Sequence, residues 1–175
     1  MEIKDYLELS EKTLSYNFYA EEQTKLALNE TVEDIVIIGD RLDLIKKVLF
    51  YGKDIKLETR PNEPNDTFTT PDLKKQIILH GAIGMVTESI ELLKEVFAAI
   101  KEERDFDTVN IFEELGDENF YQAIFLREFN FELGNVWDTN INKLKARYGE
   151  NFSSEKAMNR DLVNESEVLT QGLNK

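Results

Sequence analysis

The chain has 175 residues and a formal charge of -14, with no cysteine and a single histidine, His80. Disulfides, zinc–thiolate sites and cysteine nucleophiles are excluded, one imidazole cannot build a metal site alone, and any metal must be held by oxygen. The charge repels phosphate backbones and anionic surfaces, so neither a nucleic-acid polymer nor a membrane is an expected partner.

A small phosphorylated ligand stays open to such a chain, because a divalent cation held by carboxylates inverts the local field. No apolar run approaches the roughly 18 residues that would span a bilayer. The opening MEIKDYLELSEK is acidic and amphipathic, unlike a targeting segment, so a cytoplasmic location is expected. At 41% hydrophobic, residues 1–175 read as one domain with a core of ordinary size.

Helical periodicity dominates and only 3 prolines interrupt it, which predicts an all-α fold. The expected architecture is a four-helix-bundle-like core of long amphipathic helices, with additional N-terminal helices and a short C-terminal one. In chain order, helices are predicted at 3–20, 31–51, 72–103, 108–130 and 134–148, with a short helix at 154–169. DIVII at 34–38 is strand-like in composition but finds no partner strand, so it is assigned to helix. The segment 54–72 carries all three prolines and reads as a loop; Thr70-Pro71-Asp72 reads as a helix entry and Gly149 as a helix exit.

GDRLDLIKKV at 39–48 echoes TESIELLKEV at 87–96, with acids, apolar residues and a lysine in register. Two amphipathic helices built on one template account for this; a functional echo would make Asp40 and Asp43 a second carboxylate pair.

Two acidic pairs stand out for their surroundings. Glu88 and Glu91 lie in IGMVTESIELL, and Glu114 and Asp117 lie in IFEELGDENFYQAIFL, where Phe112, Leu115, Phe120 and Ile124 form an apolar stripe. Residues three apart share a helix face, but in a chain with 35 acids a lone pair is no signal. These acids either form wet faces and pair with Lys94, Lys101 and Arg127, or converge across a helix interface. In the second case a divalent metal removes the cost of crowding them. Oxygen ligands without His or Cys favour Mg²⁺, or Mn²⁺ in its place, over zinc, copper or iron.

HGAIGMVTESIELLKEV at 80–96, followed by EELGD at 113–117, resembles the signature of the MazG-like all-α nucleoside triphosphate pyrophosphohydrolases, an ExxE on one helix and an ExxD on the next. NINKLKARYGENFSSEKAMNRDL at 140–162 resembles the C-terminal part of bacterial and phage members, so the likeness is strongest over 78–162. It implies that Glu88, Glu91, Glu114 and Asp117 ligate Mg²⁺, and that a homodimer or homotetramer is the working form. Two departures stand out. Many members begin the first motif with two consecutive glutamates and this chain has Thr87, while Glu118 and Asn119 follow Asp117 where the family runs apolar.

Asn140, Lys143 and Arg147 fall on one helix face and suit a polyphosphate, lysine as a point charge and arginine as a fork. Asn140 and Lys143 match the family's nucleotide-contacting stretch, and Arg160 is a further candidate for phosphate. A helix C-terminus also attracts Lys145 and Arg147 without any ligand. Tyr148, Phe152, Tyr121 and Trp137 are candidates to stack on a base, or else core residues. His80 reads as a hydrogen-bonded packing residue rather than a base.

The expected reaction is Mg²⁺-dependent cleavage of a (d)NTP between the α and β phosphates, giving (d)NMP and pyrophosphate, with Glu88 or Glu91 as base. House-cleaning of damaged nucleotides or control of nucleotide pools would be its purpose. A dUTP- or dCTP-preferring enzyme, a phosphoribosyl-ATP enzyme, and a non-catalytic helical interaction protein with a decayed site are the alternatives.

Overall fold

The computed structural model describes residues 1–16, 21–58 and 70–174. They form seven helices and no strand, an all-α chain with a helical bundle core. The helices are α1 (Ile3–Glu11), α2 (Glu22–Tyr51), α3 (Leu73–Lys101), α4 (Thr108–Phe129), α5 (Leu133–Tyr148), α6 (Ser154–Met158) and α7 (Leu162–Leu173). Where the sequence read as one domain, the chain divides into two compact units, Met1–Tyr19 with Asn130–Lys175, and Ala20–Phe129.

The second unit carries α2, α3 and α4, with α3 packed against both of the others. Helix α2 begins at Glu22, nine residues before the predicted start at 31. Leu26 and Leu28 in that added stretch are exposed, so no core-facing stripe announces it in the sequence. The DIVII stretch is helical, as assigned. Asp72 caps α3, its carboxylate accepting the Lys75 N–H at 3.0 Å, and Asp107 caps α4 by accepting from Val109 and Asn110 at 3.0 and 3.1 Å. Between them, Arg104 forks onto Glu95 at 2.8 and 2.9 Å, and Glu95 also accepts the Asp107 N–H at 2.7 Å. Arg104 thereby holds the Glu95 carboxyl down at about 2. Residues 59–69 of the predicted loop, with Pro61 and Pro64, lie outside the described residues.

Close helix approach depends on missing side chains. A Cβ on Gly84 of α3 would stand 2.2 Å from the Tyr121 ring of α4, and one on Gly39 of α2 would stand 2.6 Å from Ile90 of α3. Both glycines leave the room that a side chain of the facing helix occupies.

The first unit joins α1, α5, α6 and α7. Helix α1 ends at Glu11 instead of running on toward 20, because the Lys12 carbonyl accepts the Phe152 N–H at 3.0 Å and the Thr13 hydroxyl takes the Ser10 carbonyl at 3.0 Å. Residues 17–20 of that prediction lie outside the described residues. The predicted helix at 154–169 is two helices, broken where Asp161 turns to cap α7 by accepting the Asn164 N–H at 3.1 Å. Gly149 closes α5, as predicted, at φ 77°.

Candidate metal centre

The acids of α4 do not lie against the apolar stripe expected for them. Phe112, Leu115 and Phe120 are exposed, whereas Glu114 is buried on the same face as Tyr121 and Ile124, the face that packs on α3. One face of α4 therefore buries the acid, and another presents Phe112 to solvent.

Glu88 of α3 meets Glu114 and Asp117 of α4 with one ligand oxygen from each inside a mutual 4.8 Å. Glu88 is half-buried, Glu114 buried and Asp117 exposed, so the cluster runs from the helix interface to the surface. Glu114 accepts one hydrogen bond, from Asn110 Nδ2 at 3.0 Å, and neither it nor Asp117 has an ion pair among the described residues. Burial, then the nearby charge of Glu88, pushes the Glu114 carboxyl above its ordinary 4.5. Three oxygen donors at this spacing, one a buried carboxylate without a cation, fit a hard divalent ion such as Mg²⁺ or Mn²⁺.

Glu91 is not one of the three. Its Oε2 lies 3.7 Å from Lys94 Nζ and its side chain is 41% exposed, although its charge still adds to the upward push on Glu114. Glu118 sits at the side of the cluster and accepts the Ser89 hydroxyl.

A second layer of contacts reaches Glu88 from α2. Lys46 Nζ donates to Glu88 Oε1 at 2.8 Å and to Thr87 Oγ1 at 2.8 Å, and stands 3.3 Å from Asp43 Oδ1. Burial opposes its charge, yet hydrogen bonding and attraction to Glu88 raise the ammonium's pKa above its ordinary range. Thr87, where the resembling family carries glutamate, is itself buried, its hydroxyl within 2.9 Å of both the Gly84 carbonyl and Glu88 Oε1. Tyr121 lies beneath, with its ring 5.3 Å from Lys46 and its hydroxyl 3.2 Å from that of Tyr51. Burial and the Tyr51 contact push the Tyr121 phenol up to about 12. It is a core residue, not a free platform for a base.

His80 packs among aromatic rings, but its buried Nε2 lacks, among the described residues, the hydrogen bond expected of it. Its ring stacks on Phe50 at 4.2 Å, and burial, followed by the charge of Lys46, lowers its pKa.

The residues chosen for a polyphosphate belong to the first unit. Arg147 is committed to the buried Glu165, donating from Nε at 2.8 Å and Nη2 at 2.5 Å. Arg160 donates to the same carboxylate at 3.3 and 2.6 Å. These two guanidiniums, Arg147 first, hold the Glu165 carboxyl far below its usual range. Asn140 accepts from the Tyr6 hydroxyl at 3.4 Å and borders a cleft of about 920 Å³ between α5 and α7. Lys143 is half-buried on the same helix. Tyr148 packs on Phe152 at 5.3 Å, and Trp137 stacks on Tyr6 at 5.3 Å.

Lys46, Thr87 and Tyr121 frame the centre; the sequence marks Thr87 as a departure from the family motif and Tyr121 as a base-stacking candidate, and passes over Lys46. The signal for Lys46 is its period: Val32, Gly39 and Lys46 recur every seven residues on the buried face of α2, so a lysine occupies a core position. No protein-family model, curated protein or solved structure matches the chain.

Proposed function

We propose that the chain is a Mg²⁺-dependent nucleoside triphosphate pyrophosphohydrolase, with Mn²⁺ able to replace Mg²⁺. The single observation that carries this reading is the convergence of Glu88, Glu114 and Asp117 from two helices, with Glu114 buried and in no ion pair among the described residues. The resemblance to the MazG-like enzymes, which rests on the same acids, points the same way.

The substrate class is a (d)NTP, which water splits between the α and β phosphates into (d)NMP and pyrophosphate. Bound Mg²⁺ would supply Lewis acidity, neutralising phosphate charge and making water more acidic. Glu88, Glu114 and Asp117 hold the ion. Glu91, half-exposed beside Glu114 and outside the ligand trio, is the better placed of the two candidate bases to accept the proton of the attacking water. Asn140, Lys143, Arg147 and Tyr148 are the proposed nucleotide contacts, with Arg147 pre-oriented by Glu165. House-cleaning of nucleotides is the implied purpose, and a homodimer or homotetramer the implied assembly.

A second reading has support of its own. Arg147 and Arg160 already share one buried carboxylate, and Val109, Phe112 and Phe120 are exposed on α4, which favours a helical interaction protein. Pyrophosphate release from a panel of dNTPs and phosphoribosyl-ATP, in Mg²⁺ and in EDTA, separates the two. Metal-dependent turnover of any panel member supports the hydrolase and identifies its substrate. Absence of turnover throughout, with no Mg²⁺-induced rise in melting temperature, leaves the interaction role.

A further inference from the structure

Lys46 is the only buried lysine among the described residues, 4% exposed. A buried ammonium persists only with partners, and here they are Glu88 Oε1 at 2.8 Å, Thr87 Oγ1 at 2.8 Å and Asp43 Oδ1 at 3.3 Å. Glu88 therefore serves two cations, as the ion-pair partner of Lys46 and as a member of the carboxylate trio.

Those two roles oppose each other. While the centre is metal-free, the ammonium offsets carboxylates that otherwise repel one another. Once a divalent ion approaches Glu88, the same ammonium repels it. Lys94 offers an internal comparison, because it pairs with Asp40 and Glu91 at 3.6 and 3.7 Å with a side chain 47% exposed. Solvent screens Lys94 and leaves it room to move, whereas Lys46 is held on Glu88, a member of the trio, by a contact to Oε1.

We propose that Lys46 is a resident counter-cation of the metal centre, which steadies the carboxylates in the metal-free protein and holds divalent-ion affinity down. The inference rests on the metal reading of Glu88, Glu114 and Asp117 and assigns Lys46 a tuning role within it.

The test titrates Mn²⁺ into the full chain by calorimetry at fixed ionic strength and follows thermal unfolding in EDTA. Lys46→Gln deletes the charge while keeping a hydrogen-bond donor, and Lys46→Arg keeps the charge. Lys46→Gln is expected to bind Mn²⁺ tighter by at least about 10-fold, the repulsion between an ammonium and a dication a few ångströms apart even under water-like screening. Lys46→Arg is expected to stay within about threefold of the wild type, and Lys94→Gln to gain clearly less than Lys46→Gln. In EDTA, Lys46→Gln is expected to melt below the wild type, and excess Mn²⁺ to raise its melting temperature by more than it raises that of the wild type.

Equal or weaker Mn²⁺ binding by Lys46→Gln, or an equal gain in Lys94→Gln, overturns the proposal. If Lys46→Gln is too unstable in EDTA to titrate, melting across a Mn²⁺ series decides in the same way: a larger rise supports the proposal, and an equal or smaller rise overturns it. Mn²⁺ binding by the wild type with no gain in the variant sinks this proposal alone. Failure of both proteins to bind Mn²⁺ sinks the metal reading as well.

Discussion

Glu114 shows how one side chain can weaken a fold and still suit a proposed metal site. Its carboxylate is 7% exposed and answered by a single amide, so ionising it in the metal-free protein costs stability. Because burial and Glu88 raise its folded pKa above 4.5, Glu114 stabilises the metal-free fold most at acid pH, and that contribution is lost as pH rises through the folded value. Glu95 and Glu165, held down by arginines, run the other way and lose their contributions as pH falls. The difference between wild type and Glu114→Gln isolates the first effect. In EDTA at pH 7 the variant is expected to melt higher by about 2–4 °C, the shift that roughly 1 kcal/mol gives a chain of this length. That gain should vanish near pH 4. A variant that melts lower at pH 7 would mean that Glu114 is satisfied as an anion. If the chain is the proposed hydrolase, the same substitution with Mg²⁺ present should lower turnover by about 100-fold or more, as removal of one charge-stabilising group does, and pyrophosphate release measures it. The sequence singles out Glu88, Glu114 and Asp117 by two acidic pairs in apolar surroundings and by the resemblance those pairs carry, but spacing along one helix does not tell that Glu88 rather than Glu91 meets the acids of α4. Lys46 is harder to find, because a lysine in an acidic chain reads as a solvated charge and its one signal is the seven-residue period it shares with Val32 and Gly39.

At the scale of elements, the echo between 39–48 and 87–96 takes physical form as reciprocal ion pairing. Lys46 reaches Asp43 on its own helix and Glu88 across the interface, while Lys94 reaches Glu91 on its own helix and Asp40 across it. The register that aligns the two sequences also aligns the two sets of partners, so Asp40 and Asp43 act as counter-charges. The α3–α4 contact depends on shape, since a methyl at Gly84 would collide with the aromatic ring that underlies Lys46. Gly84→Ala is expected to cost about 1–3 kcal/mol in urea unfolding, the usual range for overpacking, because Tyr121 is buried and cannot swing away. A Cβ at Gly39 would stand 2.6 Å from Ile90 Cγ2, farther than one at Gly84 stands from the Tyr121 ring, so Gly39→Ala should cost less. An unaffected Gly84→Ala would show that the helices tolerate wider separation. The long helices α3, α4 and α5 were legible because caps and periodicity agree over many turns. The start of α2 and the ends of α1 and α6 were not, because they turn on exposed leucines and on single bonds to residues distant in sequence, such as Lys12 with Phe152.

For the whole molecule, a charge of -14 means that any divalent ion gains from diffuse attraction, so stabilisation by Mg²⁺ is evidence for a site only when it is specific. Asp117 allows the two to be told apart, because it is exposed and its substitution leaves the core intact. Asp117→Asn removes a single charge from the excess, and diffuse binding would hardly register that. Site binding would lose one of its three ligands. Wild-type protein is expected to gain melting temperature in Mg²⁺ over NaCl of equal ionic strength, following the logarithmic dependence on free ion, and Asp117→Asn to lose most of that gain. Equal gains for both proteins would assign the effect to bulk charge. The same separation applies to assembly. A chain this acidic repels its own copies, so an oligomer must be held by apolar surface, and α4 exposes Val109 at 76% and Phe112 at 80%. The proposed homodimer or homotetramer is therefore expected to dissociate when Phe112 is changed to Asp, with far-UV ellipticity per residue retained and the mass from light scattering falling to that of one chain. A wild-type mass of one chain at micromolar concentration would remove self-association from the proposal and leave Val109 and Phe112 unaccounted for by it.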